Sequence, residues 1–143
     1  RASDSMPFVS KPVEIDGNFY LDGAISDAVP FKKVLETECE KIIVILTRPL
    51  GYRKKKAYLP YKLLYGKYPK FVETAKHYYK EYNNTMDLIE KYEAENKIVV
   101  LRPSELIKKK RVEKDTTKLQ SIYNLGVSDC NNKLDIIKKY IND

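Results

Sequence analysis

The sequence predicts an α/β fold with a helical C-terminal extension, on three observations: a hairpin signal near the start, two continuous apolar runs, and helical periodicity through the second half. Lys41-Ile-Ile-Val-Ile-Leu-Thr47 and Lys97-Ile-Val-Val-Leu-Arg102 are runs of mostly β-branched residues without alternation. They predict strands at about 42–47 and 97–102 that are buried on both faces. A helix ahead of such a strand points to an α/β layer.

The elements follow in order. Val13-Glu-Ile-Asp-Gly-Asn-Phe-Tyr-Leu21 alternates around Asp16-Gly17, a dipeptide that tolerates the positive φ of a two-residue hairpin turn. Pro30 suits the start of a helix, where its missing N–H costs nothing; Val34 and Leu35 give that short helix an apolar face, ending near Glu38. Pro49, Gly51 and Arg53-Lys54-Lys55-Lys56 mark an exposed loop. Phe71, Ala75, Tyr78 and Tyr82 recur at helical spacing, and Met86–Glu95 continue helical after Asn83-Asn84. Pro103 stops the second strand. Thr116 or Asp115 caps a helix carrying Leu119, Ile122 and Tyr123 that closes at Gly126; Ser128 caps a last helix with the stripe Leu134, Ile137 and Ile141.

Length and composition bound the rest. A chain of 143 residues, 43% hydrophobic and 33% charged, suits one globular domain and excludes a disordered polymer. Its longest apolar run, Ile42–Leu46, is too short to cross a bilayer, and no charged-then-apolar leader opens it. Cys39 and Cys130 are far apart in sequence and form neither a disulfide framework nor a zinc pattern, so reduced thiols in the cytoplasm are expected. Arg1 opens the chain and the first methionine is Met6, which reads as a processed, trimmed or expressed fragment.

The chemistry centres on Asp22-Gly23-Ala24. Asp-Gly alone is a common turn dipeptide. Here it follows Arg1-Ala-Ser, Met6-Pro-Phe-Val and the hairpin, and it opens Asp-Gly-Ala-Ile-Ser-Asp-x-x-Pro30. In order and spacing this resembles the C-terminal signature of patatin-like phospholipases over about the first third of the chain. The remainder resembles more loosely the C-terminal extension of bacterial members. The resemblance implies a division at residue 50, with 1–50 the end of a patatin-like catalytic domain and 51–143 a basic, Tyr-rich segment, a strand and C-terminal helices. It also implies lipid acyl ester hydrolysis by a Ser–Asp dyad, with Asp22 as general base and no cofactor or metal. A carboxylate with a pKa near ~4 is a weak base for a hydroxyl. Such a base has to be partly desolvated and held within hydrogen-bond reach of its serine. Gly23 allows the tight backbone; Ala24 stands where many relatives carry a second glycine.

The family nucleophile, in Gly-x-Ser-x-Gly, and its Gly-rich oxyanion loop are not in this sequence. Gly126-Val-Ser128-Asp-Cys130 comes nearest but lacks the second glycine, and the sequence places it between helices. The expectation is a chain that supplies the catalytic aspartate of a parent hydrolase and is inactive alone. His77 reads as a surface histidine.

Charge suggests a competing, non-enzymatic reading. Of the net +7, the stretch from Arg48 to Lys80 carries ten basic residues against Glu73 alone, interleaved with Tyr52, Tyr58, Tyr61, Tyr65 and Tyr68. It reads as a solvated face, as a surface for an anionic membrane centred on Arg53, Lys54, Lys55 and Lys56, or as a nucleic-acid grip. A lipid-acting parent favours the membrane over nucleic acid, giving a cytoplasmic protein with a peripheral membrane option. The strand at Ile42–Leu46 would normally have neighbours on both sides, so self-association through its edge is expected.

Overall fold

The computed structural model describes residues 1–56, 60–108 and 113–143; Tyr58 lies outside them. The chain mixes helices with two small sheets, as an α/β class requires, and divides into two compact units. Unit one comprises Arg1–Val34 and Arg53–Met86, and unit two Leu35–Tyr52 and Asp87–Asp143.

In unit one, β1 (Val13–Ile15) pairs antiparallel with β2 (Asn18–Tyr20), placing Val13 opposite Tyr20. Asp16 (φ 49°) and Gly17 (φ 73°) form the connection; both angles are positive, as a type I′ turn demands. A 3₁₀ turn, Gly23–Ile25, follows, then α1 (Phe31–Leu35), whose Phe31 is buried. The core gathers Tyr61 and Tyr65 from α2 (Tyr61–Tyr65) with Val72 and Ala75 from α3 (Pro69–Ala94). Leu21, Ile25, Tyr68 and Phe71 pack around them.

Phe8 is held in the left-handed region (φ 68°), an uncommon place for an aromatic residue. Its N–H donates to the Tyr65 hydroxyl at 3.0 Å, and its ring lies 5.1 Å from Tyr61 and 5.5 Å from Tyr65. These contacts offset a backbone cost of order 1 kcal/mol.

In unit two, β3 (Ile43–Ile45) and β4 (Val99–Leu101) pair in parallel, with Val44 opposite Val100. Val44, Leu46, Ile98, Val99, Val100 and Ile89 form its core. α4 (Thr116–Asn142) is tied to the strand ends by Tyr140, whose hydroxyl accepts from the Ile42 N–H at 3.0 Å and donates to the Lys97 carbonyl at 2.9 Å.

α3 is continuous through residue 94, so the helical pattern does carry on past Asn83-Asn84. Two features depart from the expectations above. One helix, α4, replaces the expected pair, with Asp115 as its cap accepting from the Thr117 and Lys118 N–H groups. Gly126 and Ser128 sit in its interior; a helical glycine costs about 1 kcal/mol, set against the half-buried stripe of Ile122, Leu125, Asp129, Lys133, Ile137 and Tyr140 along the helix. Last, β3 is not buried on both faces: Val44 is covered, whereas Ile45 is 74% exposed and Ile43 shares that open side.

α3 ends in a Schellman motif. Lys97 N–H bonds the Tyr92 carbonyl and Asn96 N–H the Glu93 carbonyl, each at 3.0 Å, with Asn96 left-handed at φ 55°.

Candidate functional site

Asp22 stands where β2 gives way to the 3₁₀ turn. Its extended backbone (φ −51°, ψ 124°) is that of an N-cap, and its Oδ1 accepts from the Ala24 N–H at 2.9 Å. The Asp22 N–H donates to the Ser5 carbonyl at 2.9 Å, pinning the residue to the N-terminal segment. The Ser26 hydroxyl and the Asp27 N–H both bond the Gly23 carbonyl at 2.9 Å, closing the turn. The carboxylate is half-buried and fixed by its own loop, and no other described side chain bonds it.

Gly23 and Ala24 are exposed, and a Cβ on Gly23 would meet no atom within 4 Å. Within this chain, therefore, nothing crowds Gly23 to the point of excluding a side chain. Ser5 is buried, but its hydroxyl donates to the Arg1 carbonyl at 3.2 Å and makes no bond to Asp22. Among the described residues no three His, Cys, Asp or Glu side chains are arranged to hold a metal. The arrangement presents an oriented carboxylate with one oxygen engaged, which can accept a proton from a hydroxyl brought to it by another segment.

The basic segment is more structural than its composition suggests. Lys54 is half-buried; its Nζ lies 4.5 Å from the Tyr78 ring centroid and 4.1 Å from that of Tyr82. Its backbone is clasped by Asn83 on α3. Arg53 is also half-buried, and Lys55 and Lys56 are exposed. His77 is exposed. Among the described residues no helix is long and apolar enough to cross a membrane.

Sequence reasoning missed a charged cluster in unit two. Arg102, just past β4, pairs with Glu93 and, at 3.9 Å, with Glu90, both on α3. Lys133 of α4 reaches Glu93 at 3.5 Å and the Val100 carbonyl at 2.9 Å. The Arg102 side chain is only 8% exposed, yet its Nε has no hydrogen-bond partner among the described residues. The available signal was an arginine at a strand end together with glutamates three apart on a helix, which share one face.

No curated protein and no solved structure matches the chain significantly. One family model does match, over residues 68–142, a segment that begins one residue before α3, takes in β4, and stops at the last residue of α4. It spans more than half of the 143 residues, so the chain belongs to the family described as Domain of unknown function (DUF6363).

Proposed function

We propose that the chain is the C-terminal part of a patatin-like lipid acyl hydrolase and supplies Asp22 as the general base of a Ser–Asp dyad. The observation that carries this reading is the Asp22 turn: a half-buried carboxylate, one oxygen held by Ala24, the backbone tied to Ser5. General-base catalysis needs that rigidity, because proton transfer is efficient only across a fixed hydrogen-bond distance. The serine and the oxyanion donors would come from a segment outside this sequence.

The sheet of unit two supports a larger parent. A parallel pair standing alone is unusual, since parallel sheets are normally covered on both faces. The outer edge of β3 is unpaired among the described residues, and Ile43 and Ile45 lie exposed beside it. A further strand from the parent's sheet suits that edge; in the isolated chain a second copy can take its place.

The test is ester turnover. The intact parent should hydrolyse p-nitrophenyl butyrate and this chain alone should not. A parent with no turnover on short- or long-chain esters would remove the reading.

A second reading rests on unit one alone. Leu63 is 82% exposed and Leu64 is also exposed on α2, flanked by Lys62 and Lys67, with Lys55 and Lys56 exposed shortly before. Exposed leucines among lysines fit an anionic membrane interface, at about 1 kcal/mol per cation near the surface. Co-sedimentation with vesicles containing anionic lipid, reduced by Leu63→Ser with Leu64→Ser, is the expected result. Equal binding to neutral vesicles would exclude it.

A further inference from the structure

We propose that unit one binds a quaternary ammonium group carried beside a phosphate, as in phosphocholine, in an aromatic notch between the hairpin and the α2–α3 corner. The notch has a volume of about 130 Å³ and is lined by Pro12, Phe19, Leu21, Tyr65, Tyr68 and Phe71. Sites for drug-sized ligands start near about 300 Å³, so this one admits a single compact group. Four of its six lining residues are aromatic, and the quadrupole of such rings attracts a cation that aliphatic walls would not.

Strand register sets one side of the notch. Val13 pairs with Tyr20 and Glu14 with Phe19, and the same register carried outward sets Pro12 opposite Leu21. Pro12, Glu14, Phe19 and Leu21 therefore share one face of the hairpin. Three of the four line the notch, which puts the exposed Glu14 on the face that forms its rim. Packing fixes the other side. Tyr65 is buried, its hydroxyl accepts from the Phe8 N–H at 3.0 Å, and its ring lies 4.7 Å from that of Phe71 at an angle of 47°. Exposed Phe19 and half-buried Tyr68 leave ring surface open to an occupant.

Charge selects a zwitterion. Tyrosine rings of unit one already hold cations: Lys54 Nζ lies 4.1 Å from the Tyr82 centroid and Lys67 Nζ 5.1 Å from that of Tyr68. A lone cation is opposed at the notch, because Lys11, Lys67 and Lys70 adjoin its lining residues in sequence against Glu14. A phosphate joined to the ammonium turns that opposition into complementarity, with the ammonium on the rings beside Glu14 and the phosphate toward Lys67 and Lys70. A primary ammonium fits less well, since it brings three donors that an apolar lining leaves unpaired.

The test is an NMR titration of the full chain with phosphocholine. The ring-proton resonances of Phe19 and Tyr68 should shift together, and the methyl protons of the ligand should move upfield. Phosphoethanolamine, and 3,3-dimethylbutyl phosphate, in which carbon replaces the ammonium nitrogen, should each bind about fivefold more weakly. Phe19→Leu keeps an apolar contact and removes the ring; it should weaken phosphocholine about fivefold with an unchanged thermal midpoint. Lys67→Gln should weaken phosphocholine about threefold while choline binds as before or more tightly. Dihexanoyl phosphatidylcholine bound more tightly than phosphocholine assigns the group to a lipid headgroup, and equal affinity assigns it to a soluble ester. Binding is read without ester turnover, so its failure would leave the role proposed for Asp22 untouched. Equal affinity for 3,3-dimethylbutyl phosphate, unmoved Phe19 and Tyr68 resonances, or undiminished phosphocholine binding in folded Phe19→Leu or Lys67→Gln would each overturn the proposal.

Discussion

Asn83 clasps the backbone of Lys54: its Oδ1 accepts from the Lys54 N–H at 2.8 Å, and its Nδ2 donates to the Lys54 carbonyl at 3.0 Å. The carboxamide thus does for a loop what a neighbouring strand does for an extended segment. Asn83→Ala should lower stability by about 1–3 kcal/mol, since it orphans two backbone groups that are partly shielded from water. Asn83→Asp should also destabilise, because it loses the donor. Urea denaturation followed by circular dichroism measures both; a change below ~0.5 kcal/mol would show that solvent replaces the clasp.

Tyr140 should prove equally specific in unit two. Tyr140→Phe keeps the ring, over which Lys41 Nζ sits at 4.9 Å, and removes only the hydroxyl bridging Ile42 and Lys97. A loss of about 1–3 kcal/mol is expected. Hydrogen exchange at the Ile42 amide should accelerate selectively.

Gly126→Ala should stabilise α4 by up to about 1 kcal/mol, the helix-propensity difference, because the new methyl meets no neighbour within 4 Å. A destabilised variant would indicate a helix break at this point, as the sequence alone suggests.

Alkaline pH should test the core of unit one. Burial pushes the Tyr61 hydroxyl above its usual pKa of 10.0, and Tyr78 adds to the effect. A raised folded-state pKa means that the neutral phenol is favoured in the fold. Its contribution is complete below the unfolded-state value and is lost as pH rises through the folded one. Tyr61→Phe should therefore unfold at higher pH than the parent chain, measured by tyrosine absorbance and circular dichroism together. An unchanged alkaline midpoint would place the sensitivity elsewhere.

How much was legible follows from the range of the interactions involved. The hairpin was visible because Asp16-Gly17 carries its own turn chemistry, and both apolar runs became strands because β-branched residues leave little local choice. Gly126 misled because a local propensity of about 1 kcal/mol was weighed without the tertiary contacts of α4. The Asn83–Lys54 clasp spans 29 residues and has no local signature, and the Arg102–Glu93 pair left only the coarse one of an arginine at a strand end and glutamates three apart on a helix. The open face of β3 was hidden for a related reason. A run of apolar residues records what a strand is built to bury, and Ile45 is exposed where no described segment covers it.

The proposed role of Asp22 is tested most directly by ester turnover of the intact parent carrying Asp22→Asn. Asparagine keeps the size and the cap on Ala24, so stability should stay within about 0.5 kcal/mol, while loss of the base should reduce kcat by roughly 10²–10⁴-fold. Turnover within threefold of the unsubstituted parent, in a folded variant, would contradict the account and assign the base to another residue.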